Sequence, residues 1–120
     1  MSRMVPPPDA APRDLTQLRR GLLEHCVLAL LRSGEEYGFE IVRRLSECDG
    51  LVTSEGTIYP LLSRLRRDGL VSTTWRESTA GPPRRYYALT DRGRATLESF
   101  IVEWARVRDA VDLLMKEGRG

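Results

Sequence analysis

The chemistry available to this chain is concentrated in its arginines. Eighteen of its nineteen cationic side chains are Arg, with Lys116 the exception. The guanidinium fork is the donor that matches phosphate and guanine two bonds at a time. Eight of them (Arg64, Arg66, Arg67, Arg76, Arg84, Arg85, Arg92 and Arg94) fall between residues 54 and 94, against Glu55, Asp68, Glu77 and Asp91. That third of the chain carries a surplus of four positive charges, while the net charge of the whole is only +2. A basic footprint confined to one region points to phosphate contact. Catalysis has no comparable basis. The chain has one His and two Cys. His25 and Cys26 are neighbours in a helical pattern and so point about 100° apart, and Cys48 stands far off beside Asp49. No glycine-rich phosphate loop occurs, and no side-chain spacing suits a metal. The chain therefore reads as a non-enzyme without cofactor or metal, its two cysteines reduced thiols in the core.

These arginines need a scaffold, and residues 54–71, SEGTIYPLLSRLRRDGLV, supply its centre. At helical spacing Ile58, Leu61, Leu62 and Leu65 share one face. Gly56, Pro60, Ser63 and Arg67 share the opposite one, which is small, polar and basic. Ser54 is placed to cap this helix, and Asp68-Gly69 to stop it, with Gly69 in the left-handed position. Pro60 breaks the pattern, because it lies beyond the first turn and has no N–H to give. The helix either starts near Gly56 or is locally distorted. On the outer face Gly56 admits close approach, and the N–H groups at the helix start suit a phosphate. Tyr59 and Ser63 are donors for phosphate or base edges. Arg64 and Arg67 are the candidates for guanine, with plain phosphate contact the alternative for each.

Upstream, residues 1–13, with Pro6, Pro7, Pro8 and Pro12, read as a mobile arm. A helix starts at Asp14, with Gln17 completing a capping box, and runs to about Arg32. Its stripe of Leu15, Leu18, Leu22, Leu23, Cys26, Val27, Leu30 and Leu31 is too wide for one partner surface. Residues 37–48 form the next helix, with Gly38, Ile41, Leu45 and Cys48 on one face. Two helices across a short turn make a helix-turn-helix. Downstream, residues 70–77 and 84–89 read as strands around a turn at 78–83. Arg84 and Arg85 then lie on a basic wing able to follow a phosphate backbone or enter a minor groove. Thr90-Asp91 opens a last helix reaching about Glu117. Its Leu97, Phe100, Trp104, Val107, Val111 and Leu114 step alternately by three and four, a heptad seam, widened by Ile101 and Met115. That seam holds more apolar surface than a small domain can cover. Dimerisation is the economical explanation, through Leu97, Ile101, Trp104, Val111, Leu114 and Met115, completed by Leu15 and Leu18 of the first helix.

The fold expected is mainly α with a small β-hairpin. Residues 14–90 form a winged helix-turn-helix domain, and residues 91–120 a C-terminal dimerisation helix with a short tail. A chain of 120 residues that is 41% hydrophobic suits one small domain with a thin core, which gains stability by pairing. No signal peptide and no apolar run of membrane-spanning length occur, so a cytoplasmic protein is expected.

Four stretches carry a family likeness: CVLALLRSGEEYG (residues 26–38), GTIYPLLSRLRRDGLV (56–71), GPPRRYYALTDRG (81–93) and the last helix around Trp104. Together they make the chain resemble the PadR family of bacterial transcriptional regulators, in its short form with one C-terminal helix. The resemblance implies a winged-helix homodimer, usually a repressor of genes near its own and often released by a small molecule. It makes the third helix the recognition helix, which maps Gly56, Thr57, Tyr59, Pro60, Ser63, Arg64 and Arg67 onto it, next to the capping Ser54. It matches Tyr37 to a tyrosine beside the DNA backbone, and Arg84 and Arg85 to the wing. It sets Trp104 where multidrug-binding members hold flat ligands in a dimer pore. An effector would stack there, among Leu22, His25, Cys26, Phe100, Val107 and Arg108. Arg108 departs from a purely hydrophobic pore and favours an anionic or neutral aromatic over a cationic drug.

The function expected is sequence-specific binding of double-stranded DNA at a partly palindromic operator, by a homodimeric repressor that a small aromatic molecule releases. Two alternatives stand beside it: a winged helix used for protein contact, and a DNA-binding regulator with no effector. The operator, the regulated genes and the direction of the response are not legible in the residues.

Overall fold

The computed structural model describes the backbone of residues 10–51 and 53–117, and side chains from Thr16 onward. Helix α1 (Ala10–Leu30) runs into a 3₁₀ turn (Leu31–Ser33) and strand β1 (Glu36–Tyr37). Helices α2 (Gly38–Ser46) and α3 (Glu55–Arg67) follow, then strands β2 (Val71–Ser78) and β3 (Gly81–Leu89), then helix α4 (Asp91–Glu117). Helix α1 starts four residues before Asp14. Pro12 does not prevent this, because the first-turn N–H groups have no helical partner to lose. Residues 1–9 of the expected arm lie outside the described residues, as do the side chains of Asp14 and Leu15.

The sheet has three strands rather than the two expected, ordered β1-β3-β2 and antiparallel throughout. Glu36 pairs with Tyr87 and Tyr37 with Tyr86. Two residues are too few to show an alternating pattern, so β1 had no sequence signal. The wing is also tighter than expected. Ser78 pairs with Gly81, and the turn is Thr79-Ala80 alone. The register shifts between Arg76 and Ser78, which sets Pro82 and Pro83 at an irregularity where a missing N–H costs little.

One core unites the elements. Leu23, Val27 and Leu28 of α1 and Leu31 after it meet Ile41, Val42 and Leu45 of α2 and Ile58, Leu62 and Leu65 of α3. Leu70, Val71, Tyr87 and Leu97 close it, and Leu61 is half-buried at its edge. Each large aliphatic side chain buried here stabilises the fold by about 1.5–3 kcal/mol. Two expectations are corrected by this core. Leu97, assigned to the subunit interface, is only 1% exposed within its own chain, because the start of α4 packs on the sheet and α1 before the helix runs free. Cys48, assigned to a core helix face, is exposed, because α2 ends at Ser46 and leaves it in the following turn. Cys26 is half-buried, and burial raises its thiol pKa.

Candidate nucleic-acid interface

Helix α3 is continuous from Glu55 to Arg67 with Pro60 inside it. The carbonyl of Gly56 therefore has no donor at position 60. Gly56 and Pro60 are both exposed, so this acceptor faces outward. Ser54 occupies the N-cap position in extended conformation, but its hydroxyl makes no cap bond. Its carbonyl accepts from the Thr57 and Ile58 N–H groups, both at 3.0 Å. The other end is a Schellman motif. The Leu70 N–H donates to the Leu65 carbonyl at 2.9 Å and the Gly69 N–H to that of Arg66 at 3.1 Å, with Gly69 at φ 77°, where glycine carries no Cβ penalty.

The expected outer residues Gly56, Thr57, Tyr59, Pro60, Ser63 and Arg67 are all exposed along this helix. Apart from helical bonding, a Cβ at Gly56 would meet only the Ser54 hydroxyl, at 3.7 Å. A bulky partner could thus reach the backbone. Grooves flank the helix on both sides. One, of about 420 Å³, lies toward α1 between Arg20 and Leu23 and the α3 residues Gly56, Pro60, Arg64 and Arg67. The other, of about 410 Å³, lies toward the wing between Tyr59, Tyr37, Trp75, Arg84 and Arg85. Gly38 forms its wall. A Cβ there would stand 3.2 Å from the Tyr87 ring and 3.5 Å from that of Tyr59. Burial, chiefly, raises the Tyr59 pKa, with smaller contributions from Tyr37, Glu55 and Tyr87. The phenol is thus kept neutral and able to donate.

The wing arginines are stacked. The Arg84 guanidinium lies 4.8 Å from the Tyr37 ring centre, Arg85 4.7 Å from Trp75 and Arg76 4.9 Å from Tyr86. Arg76 also pairs with Glu35, and the Arg85 Nε–H is buried without a partner. Arg76 and Arg84 face each other across the ladder, an arrangement repulsive in isolation. Their separate rings and Glu35 offset it. Contact with the rings holds the cations in place as preformed donors. Trp75, Tyr86 and Arg20 are not among the contact residues expected from the sequence, and Arg76 enters there only as part of the basic surplus. Trp75, 61% exposed, was the one detectable signal, since an exposed Trp on a polar strand is unusual.

Arg64 differs from its expectation. It is not free on the outer face. Its Nη2 donates to Glu24 Oε2 of α1 at 2.6 Å. Arg67 has no ion pair among the described residues.

The expected effector residues are brought together in part. His25 of α1 stacks flat on Phe100 of α4, with ring centres 3.8 Å apart and planes 3° apart. Phe100 in turn lies parallel to Trp104 at 6.2 Å. Burial lowers the His25 pKa against an opposing pull from Glu24, and its Nδ1 is buried without a partner. Leu22 and Cys26 are half-buried nearby in sequence on α1, while Val107 and Arg108 are exposed. Arg108 bonds to Asp109 at 3.1 Å. Residues 106–117 of α4 are all exposed, including the expected interface residues Val111, Leu114 and Met115. Ile101 and Leu18 are exposed as well. Among the described residues no helix is long and apolar enough to cross a membrane.

Three helices and an antiparallel hairpin, with a bare helix between two arginine-lined grooves, define a winged helix-turn-helix protein. The model of the transcriptional regulator PadR-like family matches residues 27–99. The chain belongs to that family, whose members are transcriptional regulators and not enzymes. A PadR-like transcription factor from Bacteroides fragilis is 41% identical, with a TM-score of 0.70 over 82% of this chain and 95% of that one. A PadR-like transcriptional regulator from Bacillus cereus is 38% identical, with a TM-score of 0.75 over 82% and 96%. The negative transcriptional regulator PadR of Bacillus subtilis is 30% identical over 94 residues, 75% of this chain and 50% of that one. The structure of that regulator with operator DNA matches at a TM-score of 0.60 and 29% identity, over 68% of this chain and 47% of the other.

Proposed function

We propose that this regulator binds double-stranded DNA as a homodimer and represses transcription from a partly palindromic operator. The observation that carries the reading is the outer face of α3, where Gly56, Pro60, Ser63 and Arg67 stand exposed between two arginine-lined grooves. Such a face enters a major groove without steric obstruction. Arg67 then reaches guanine or phosphate, and Tyr37, Tyr59, Arg84 and Arg85 engage the backbone beside the wing. The similar Bacillus subtilis protein, a negative regulator solved with operator DNA, supports the same role here. The exposed seam of α4 supports the homodimer. Two recognition helices would then address half-sites about one helical turn, roughly 34–36 Å, apart. The wing cations and the bare α3 face favour this over a winged helix serving protein contact alone.

We further propose that a small neutral or anionic aromatic molecule stacks on the His25–Phe100–Trp104 ladder between α1 and α4. By favouring one spacing of the recognition helices over another, it would release DNA. Trp104 fluorescence, isolated by Trp75→Phe and titrated with planar aromatics, tests that step. No response across the panel would remove it and leave a regulator without an effector.

The DNA reading is tested by gel shift and anisotropy with the DNA upstream of the protein's own gene. Binding should weaken steeply with salt. Arg67→Ala is expected to lower operator affinity by about 1–3 kcal/mol, if it reads guanine, and to relax discrimination at one position. Ser63→Ala should cost less. Unchanged affinity and specificity in both variants would sink the assignment of α3.

A further inference from the structure

Arg64 faces α1 rather than the outer side of α3, and one nitrogen of its guanidinium is already engaged. Its guanidinium and the Glu24 carboxylate meet at 2.6 Å across 40 positions of sequence, with the two side chains 46% and 29% exposed. Arg64 lines one groove together with Arg20 and Arg67. Glu24 thus introduces a negative charge at a surface otherwise furnished with three cations. An ion pair this exposed contributes little to folding, so stability gives no strong reason for it. We propose that Glu24 is a specificity-determining residue of the DNA-binding surface, holding Arg64 back from phosphate and so weakening binding to DNA of the wrong sequence. The proposal rests on the DNA-binding reading above.

The physical argument turns on what phosphate and guanine each offer. Every DNA sequence presents the same phosphates, so a free Arg adds affinity without discrimination. A carboxylate beside the guanidinium offsets its charge toward a passing phosphate, and a phosphate that draws Arg64 away leaves a Glu24 carboxylate that repels it. The O6/N7 edge of guanine accepts both fork N–H groups and carries no net charge. An operator that places guanine within reach therefore offers Arg64 a two-bond partner that offsets the broken pair, which random sequence lacks. Glu24 penalises random sequence more than the operator.

The test compares wild type, Glu24→Gln, Arg64→Ala and the double variant on the upstream DNA of the protein's own gene and on a scrambled duplex of equal length. Affinities are measured by anisotropy between 50 and 200 mM salt. Glu24→Gln keeps the side-chain shape and removes the charge. It is expected to bind the scrambled duplex several-fold tighter, with a log–log salt slope steeper by about 0.9 per protomer, and to lower the ratio of operator to scrambled affinity. Arg64→Ala leaves the Glu24 carboxylate unpaired and should bind the scrambled duplex more weakly than wild type, and the double variant should lose the gain. An unchanged slope and ratio in Glu24→Gln overturn the proposal. So does a gain that persists in the double variant, which would show that it does not come through Arg64, and so does a tighter scrambled affinity in Arg64→Ala. Wild-type protein that binds neither duplex in a salt-dependent way overturns the DNA-binding reading itself, an outcome separate from the others.

Discussion

At the residue scale, the corner where α3, β2 and α4 meet depends on one side chain and one missing side chain. Thr90 caps α4. Its hydroxyl accepts from the Gly93 N–H at 3.0 Å and donates to the Gly69 carbonyl at 2.7 Å. The end of α3 is thereby tied to the start of α4. Gly93 packs directly on the backbone of Leu70, between α3 and β2, where a Cβ would stand 2.0 Å from the Leu70 carbonyl oxygen and 2.9 Å from its carbon. Backbone cannot step aside as a flexible side chain can. Gly93→Ala is therefore expected to destabilise the fold by about 3 kcal/mol, read as a lower urea midpoint at unchanged slope. A wild-type midpoint would mean that α4 can shift freely on β2. The second residue-scale expectation concerns His25, whose pKa burial lowers from 6.5. In the unfolded chain it titrates near 6.5. As pH falls through that value, the unfolded state takes up a proton that the folded state refuses, so stability drops until the lower folded pKa is passed and then levels. His25→Phe keeps an aromatic ring on Phe100 and removes the titration. Between pH 7.5 and 5.5 its melting temperature should fall less than that of wild type. Parallel profiles would show that His25 burial is not felt.

At the scale of elements, what was legible depended on period and length. Ile58, Leu62 and Leu65 recur at helical spacing over a long enough stretch to assign both faces of α3, and Asp68-Gly69 fixed its end. The outer face Gly56, Pro60, Ser63 and Arg67 followed from the same wheel. Other features carried no periodic signal. Strand β1 has two residues, and its existence depends on Tyr86 and Tyr87 lying beside it in space. Gly81-Pro82-Pro83 reads as a breaker and widens the expected turn, whereas the irregular register of the strands accepts the prolines. Leu97 belongs to the heptad by spacing and to the core by location, since a helix that begins on a domain and leaves it keeps one repeat throughout. The Arg64–Glu24 pair was out of reach for the plainest reason. Helix wheels show which face a residue occupies, but not which other element stands 40 positions away beside that face. The arginine–aromatic stacks of the wing share this limit.

At the scale of the molecule, α4 decides how the surface is used. A single recognition helix addresses a few base pairs, too few to select one site in a genome. Two helices held at fixed spacing multiply their discrimination, and the second half-site is met at the high effective concentration its tether sets. In the proposed dimer the seam beyond Trp104 supplies that spacing. Val111, Leu114 and Met115 project from a stretch where every residue is exposed, Leu114 to 64%, a run of apolar surface that a soluble monomer rarely leaves uncovered. Leu114→Glu combined with Val111→Glu would place two charges in each helix of that seam, where desolvating them is costly. Sedimentation should then show a monomer at micromolar concentration, with the helical circular dichroism of the winged domain retained, because Leu97, Leu62 and their neighbours lie in a separate core. Operator affinity should fall by about 100-fold or more, while binding to a single half-site changes little. A variant that remains a dimer would move the interface elsewhere, to the first helix around Leu18. A monomer that binds the full operator as tightly as wild type would show that spacing is not what the seam provides.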